Sequence, residues 1–166
     1  MSNIDTQMNQ LLILDRDGVI NKSPTFPERY ILDRKQLIVI KKTIELIVSA
    51  QFNNWNICVV TNQQCIAKGL ISYEEVMLMH KEINQKITDS GGTELVFYVC
   101  PHAEDEKCKC RKPEPGLLLS AMKDYNSKPN RTIFIGDNDY DQLAANNAGI
   151  RFKMFDSNFN YATALL

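Results

Sequence analysis

The run LLILDRDGVIN at 11–21 ends its apolar part on two carboxylates, Asp15 and Asp17, separated only by Arg16 and followed by Gly18. Like charges so close repel, and burial beside an apolar strand raises the cost. A divalent cation would offset that repulsion. Three further stretches supply what would accompany it: TNQQ at 61–64, RKPEPG at 111–116 and GDNDYD at 136–141. Asp15, Asp17 and Asp137 offer hard oxygen donors suited to Mg²⁺. Lys112 adds a fixed positive charge and Thr61 a hydroxyl donor. Carboxylates, a metal, a lysine and a hydroxyl together describe a phosphoryl-transfer pocket. In such a pocket an aspartate can be the nucleophile and carry the phosphoryl group.

A second cluster lies in CPHAEDEKCKC at 100–110, where Cys100, His102, Cys108 and Cys110 bring three thiols and an imidazole within eleven residues. That set suits tetrahedral Zn²⁺ in a closed structural site. It runs directly into Arg111 and Lys112, so a metal there would pin the loop that aims both. A disulfide between two of these cysteines is the alternative use. Cys58 lies inside an apolar strand and reads as core, and nothing marks Cys65 as reactive. His80 falls on an apolar helical stripe and reads as a core or interface histidine rather than a ligand.

Alternating strands and helices must position these groups. Apolar β-type runs at 11–15, 57–61, 95–100, 132–136 and 151–155 alternate with helical patterns at 40–51, 72–87, 115–125 and 141–149. The second helical pattern is the clearest. Ser72 and Glu75 have capping-box spacing, and Val76, Met79, His80, Ile83 and Ile87 form one stripe. Near-continuous apolar strands alternating with helices predict an α/β fold, a parallel sheet covered by helices on both faces. Such sheets carry their sites at the carboxyl ends of the strands, where Asp15, Thr61 and Asp137 fall.

The 166 residues fit one domain, 1–166, with a proper core, and 44% hydrophobic against 23% charged residues suits a packed fold. A net charge of −1 with scattered basic residues argues against a protein built to grip nucleic acid or an anionic membrane. No apolar stretch approaches bilayer-spanning length, and the first ten residues lack the regions of a signal peptide. A cytoplasmic monomer is the expectation. In a reducing compartment, three crowded cysteines out of five suggest metal before disulfide.

DxDG at 15–18, the strand-end Thr61, Lys112 and GDxxxD at 136–141 occur in the order of the haloacid dehalogenase superfamily phosphatases, which this sequence resembles over residues 11–155. The resemblance implies a three-layer, Rossmann-like fold. By it, Asp15 attacks phosphorus in line, and Asp17 protonates the leaving oxygen and later deprotonates the hydrolytic water. Thr61 and Lys112 hold the transferring group. Mg²⁺ is bound by the Asp15 carboxylate, the Asp17 backbone carbonyl and Asp137. Asp141 orients the ligands or Lys112, or serves as an acid at a helix N-terminus.

CxH…CxCRKPxPG together with VVTNQ and IAKG resembles a narrower group, the D-glycero-D-manno-heptose 1,7-bisphosphate 7-phosphatases and the related histidinol-phosphatases. These share the zinc loop and lack a large cap domain. No long insertion follows Asp17 or Thr61, so a capless fold is implied, with KSPTFPERY at 22–30 as a flap. The heptose branch implies substrate contacts from Asn62, Gln63, Gln64, Arg111 and Asn138, with Arg111 and Lys68 suited to a second anionic group. The sequence departs from that branch at Gln64-Cys65, at Lys68 in place of Arg, and at Asn138 in place of a basic residue. Histidinol phosphate would favour acids at the entrance, where Glu28 is the acid of the 22–30 segment. A small phosphorylated sugar is therefore the expected substrate. That role would serve lipopolysaccharide, capsule or glycoprotein sugar synthesis. The alternatives are a histidinol phosphatase, a polynucleotide 3′-phosphatase, or a binding domain that kept the fold without turnover.

Overall fold

The computed structural model describes residues 9–25, 27 and 29–166. Residues 1–8, Phe26 and Glu28 lie outside the described residues. Five parallel strands form one sheet: β1 (Leu11–Leu14), β2 (Asn56–Asn62), β3 (Val96–Cys100), β4 (Thr132–Gly136) and β5 (Arg151–Met154), in the order β3-β2-β1-β4-β5. Four helices link them: α1 (Lys41–Phe52), α2 (Tyr73–Asp89), α3 (Gly116–Asp124) and α4 (Asp139–Ala148). The expected alternation is thus present, with each boundary within two residues of the sequence reading.

Strand geometry sends alternate side chains to opposite faces, and both faces are covered. Leu12 and Leu14 join Ile57, Val59, Ile133 and Ile135 against α1 and α2. Leu11 and Ile13 join Cys58, Val60 and Phe134 against α3 and α4. This is why β1 is apolar at every position. Each such side chain contributes roughly 1.5–3 kcal/mol on burial. The buried residues of α2 are Val76, Met79, His80, Ile83 and Ile87. Its capping box is half realised, with Ser72 accepting from the Glu75 amide at 3.1 Å.

The chain runs outward from β1 through β2 to β3, then returns to place β4 on the other side of β1. The resulting switch point opens a crevice at the carboxyl ends of the strands, beside β1. Between Asp17 and α1 the described residues form one short 3₁₀ turn, Arg34–Gln36, and isolated bridges from Asn21 to Asp17 and Val39, and no helix or strand interrupts 63–72. Nothing among the described residues forms a cap over the crevice. Among the described residues no helix is long and apolar enough to cross a membrane.

Candidate active site and metal centre

Asp15 directly follows β1, and its amide still bonds to Ile135 of β4 at 2.9 Å. The chain then turns sharply. The Arg16 carbonyl accepts from Ile20 and Asn21 at 2.9 and 3.1 Å, and Gly18 adopts φ +91°. A Cβ at Gly18 would lie 1.8 Å from Asp137 Oδ2, so glycine is needed both for the backbone and for the approach of β4.

Lys112 anchors the centre. Its ammonium lies 2.7 Å from Asp15 Oδ1 and 2.6 Å from Asp141 Oδ1, and donates to the Val60 carbonyl at 3.2 Å. Asn62 fixes its backbone reciprocally, accepting from the Lys112 amide at 3.0 Å and donating to its carbonyl at 3.1 Å. Burial alone would lower the Lys112 pKa, but Asp15 and Asp141 outweigh it and raise it, so the ammonium stays charged. Burial pushes Asp15 the other way, up to about 7, against the pull of Lys112 and with the push of Asp141. Burial also raises Asp137, whose carboxylate accepts from Asn138 at 2.8 Å and Ser23 at 3.4 Å.

Asp17 is held differently. The Arg16 guanidinium meets both its oxygens, with contacts of 2.9–3.2 Å. Asn21 and Gln63 each donate at 2.9 Å. Burial alone would raise its pKa, but Arg16 and these donors outweigh that and hold it below the ordinary carboxylate value. Gln63 also donates to the Thr61 hydroxyl at 2.9 Å, linking that donor to Asp17. Asn138 caps α4, accepting from the Asp141 amide at 3.1 Å while donating to Asp141 at 2.9 Å.

One crevice gathers Asp15, Asp17, Thr61, Asn62, Gln63, Gln64, Arg111, Lys112, Asp137 and Asn138. Of the residues expected to touch substrate, Asn62, Gln63 and Asn138 spend polar groups holding other members of the site. Arg111 is different: its Nη1 is buried without a hydrogen-bond partner, and its side chain also lines an adjoining cavity with Lys107 and Lys109. Lys68 donates to the Tyr30 hydroxyl at 2.9 Å at the crevice rim, and Pro24, Arg29 and Tyr30 of the 22–30 segment border the crevice.

Carboxylate oxygens of Asp15, Asp137 and Asp141 lie within 4.8 Å of one another. Three carboxylates against the single Lys112 ammonium leave two uncompensated negative charges when all are ionised. Hard oxygen donors carrying that excess fit Mg²⁺.

In the second cluster, Cys110 Sγ stands 3.2 Å from Cys100 Sγ, 3.2 Å from His102 Nδ1 and 3.4 Å from Cys108 Sγ, while Cys100 Sγ is 3.6 Å from both Cys108 Sγ and His102 Nδ1. All five cysteines are free. Ligands on a tetrahedral Zn²⁺ at ~2.0–2.3 Å are separated by similar spans, so this cluster fits zinc. Cys100 ends β3, and the cluster therefore ties the sheet to the segment carrying Lys112.

Arg16, Asn21 and Ser23 escaped the sequence reading. Only Arg16 carried a signal: an arginine between two carboxylates in a turn can serve them from inside the fold.

A family model described as "HAD-hyrolase-like" matches residues 109–165. The D-glycero-beta-D-manno-heptose-1,7-bisphosphate 7-phosphatase of Pseudomonas aeruginosa is 36% identical over 135 residues, 81% of this chain and 74% of that protein. A probable D-glycero-D-manno-heptose-1,7-bisphosphate 7-phosphatase of Thermoplasma acidophilum is 33% identical, spanning 90% of this chain and 92% of that one. The crystal structure of D,D-heptose 1,7-bisphosphate phosphatase from B. bronchiseptica, complexed with magnesium and phosphate, superposes with a TM-score of 0.82 at 28% identity. It covers 87% of this chain and 79% of that chain. With its crevice built from the ends of β1, β2 and β4, this chain belongs to the D-glycero-D-manno-heptose-1,7-bisphosphate 7-phosphatase family of HAD-like hydrolases.

Proposed function

We propose that this chain is a Mg²⁺-dependent phosphomonoester hydrolase that removes the 7-phosphate of D-glycero-D-manno-heptose 1,7-bisphosphate. The carrying observation is the buried Lys112 ammonium 2.7 Å from Asp15 at the crevice floor. It places a nucleophilic carboxylate beside a fixed charge that draws in a phosphoryl group. Relatives named for that substrate, and a magnesium- and phosphate-bound neighbour, support the reading.

In this mechanism the Asp15 oxygen attacks phosphorus and the bond from phosphorus to the sugar oxygen breaks, leaving an aspartyl-phosphate. The departing oxygen takes its proton from Asp17; Arg16 and its donors favour the ionised form in the free crevice, and the negative phosphate drawn in beside that carboxylate raises its proton affinity. Asp17 then receives a proton from a water that attacks the same phosphorus, freeing phosphate and restoring Asp15. Thr61 and Lys112 hold the non-bridging oxygens through both steps. Asp15, Asp137 and the Asp17 backbone carbonyl would hold Mg²⁺, with Asp141 orienting Lys112. When bound, that ion neutralises charge on the transferring group. Cys100, His102, Cys108 and Cys110 would hold a structural Zn²⁺. Such a thiolate-rich centre is at home in a reducing compartment, and we place the protein in the cytoplasm. One chain supplies every group, so a monomer suffices.

Arg111, which lines both the crevice and the adjoining cavity with Lys107 and Lys109, is suited to receive the second phosphate. The test compares kcat/KM for the bisphosphate and for histidinol phosphate. The bisphosphate should be preferred. Arg111→Ala should lower its kcat/KM by about one to two orders of magnitude, the loss of a charge-assisted contact of roughly 1.5–3 kcal/mol. Asp15→Asn should abolish turnover and trapping by a phosphate-mimicking fluoride complex. Faster hydrolysis of histidinol phosphate, or indifference to Arg111→Ala, would move the substrate assignment. Activity retained in Asp15→Asn would end the mechanism.

A further inference from the structure

Arg16 is the bulkiest fully buried side chain among the described residues, with 0% exposure. Burying a guanidinium is costly unless it is fully paired. Its Nε and Nη2 grip Asp17. Its Nη1 points the other way, 3.2 Å from His80 Nε2. A guanidinium can only donate, so Nε2 must accept, and His80 is neutral with its proton on Nδ1. Burial, reinforced by the Arg16 charge, holds His80 down at about 3, in keeping with a neutral ring, whose Nδ1 is buried without a hydrogen-bond partner. The imidazole is itself fixed: it stacks on Phe97 of β3 with ring centroids 4.1 Å apart and planes at 9°. A rigid chain thus runs from β3 through α2 to Asp17.

We infer that Arg16 and His80 form a positioning pair that fixes the Asp17 carboxylate for proton exchange with the leaving-group oxygen. The inference rests on the proposed role of Asp17. Neither residue reaches the substrate: Arg16 is fully enclosed and His80 is buried behind it. They act through the orientation of one carboxylate. A merely structural role would depress all substrates together. A positioning role is selective, because it matters only where the departing oxygen needs a proton.

The experiment measures kcat/KM for the sugar bisphosphate, whose alkoxide must be protonated, and for p-nitrophenyl phosphate, whose phenolate departs unaided. This parameter ends at leaving-group departure, so the water step does not enter. The variants are Asp17→Asn, Arg16→Met, His80→Phe and His80→Gln. The sugar-to-aryl ratio should fall about 10²-fold in Asp17→Asn. In Arg16→Met and His80→Phe it should fall about tenfold, the effect of a misaligned acid. His80→Gln, whose amide oxygen can accept the Arg16 bond, should hold the ratio within about threefold of the parent. Should Arg16→Met fail to fold, His80→Phe keeps an aromatic ring on Phe97 and decides alone. A ratio that moves in Asp17→Asn but not in Arg16→Met or His80→Phe overturns the inference and leaves the role of Asp17 standing. A ratio unmoved in Asp17→Asn removes that role, and the inference with it.

Discussion

The Lys112 ammonium lies 2.7 Å from Asp15 Oδ1, across 97 residues of sequence, with Lys112 only 4% exposed. The same ammonium meets Asp141, so one cation serves two carboxylates out of reach of bulk water. Lys112→Met should therefore cost stability as well as turnover. Removing one partner of a buried pair leaves uncompensated charge worth about 3–5 kcal/mol. Urea unfolding of the metal-free variant checks this, and added Mg²⁺ should recover part of the loss. A change below about 1 kcal/mol, the range of an exposed pair, would show that water reaches the site.

Asp15 makes magnesium binding depend on pH. Burial lifts it to about 7, against the pull of Lys112, so below that pH the metal-free protein carries a proton there. A ligating carboxylate must lose that proton. The apparent Mg²⁺ affinity should then fall by up to about tenfold per unit as pH drops below 7, and level off above it. Calorimetric titrations in buffers of different ionisation enthalpy should show proton release on the acid side. An affinity flat from about pH 5 to pH 8 would contradict Asp15 as a ligand.

Gly18→Ala tests the approach of β4 to the turn after β1. The added methyl would overlap Asp137 Oδ2, and the backbone there has φ +91°. Asp137 must shift, so Mg²⁺ affinity should weaken by about tenfold or more, with a stability cost of roughly 1–3 kcal/mol for the strained backbone. Metal titration and thermal unfolding separate the two effects. An unchanged magnesium affinity would mean that Asp137 is not needed where it sits.

The cysteine cluster should carry about one zinc per chain. Stripping it with a strong chelator should raise amide exchange across residues 100–112 and lower kcat with Mg²⁺ in excess, because ligand binding is coupled to local folding. Cys110→Ser should behave like the stripped protein. Freshly purified protein with no zinc and full exchange protection in this loop would falsify the assignment.

That Asp15, Lys112 and Asp137 share one crevice was legible because the proposed chemistry restricts residue type: an in-line nucleophile, a fixed cation and hard donors leave few ways to write them. The sheet was legible because Leu11 to Leu14 bury both faces at once. What escaped is the polar scaffolding. Arg16 carried a signal in its place between two carboxylates, but its full burial follows only from the way the turn folds its side chain inward. Asn21 donates to Asp17 only because the 16–21 turn brings it back. The capping role of Asn138 also escaped, because its helix begins two residues earlier than its apolar pattern suggests. Hydrogen-bond partners of this kind depend on turn geometry, which apolar periodicity does not encode.

The place of β1 between β2 and β4 bears on how the protein is made. Synthesis runs from the amino terminus, so Asp15 and Asp17 leave the ribosome long before Lys112, and Asp137 and Asp141 come later still. Until Lys112 emerges the Asp15 carboxylate lacks its cation, and until β4 follows the central strand lacks a neighbour on one side. Closing the sheet and completing the site both depend on contacts distant in sequence. A nascent or truncated chain ending before β4 has an exposed strand edge and only one of the three clustered carboxylates. Activity arrives only with the last third of the chain.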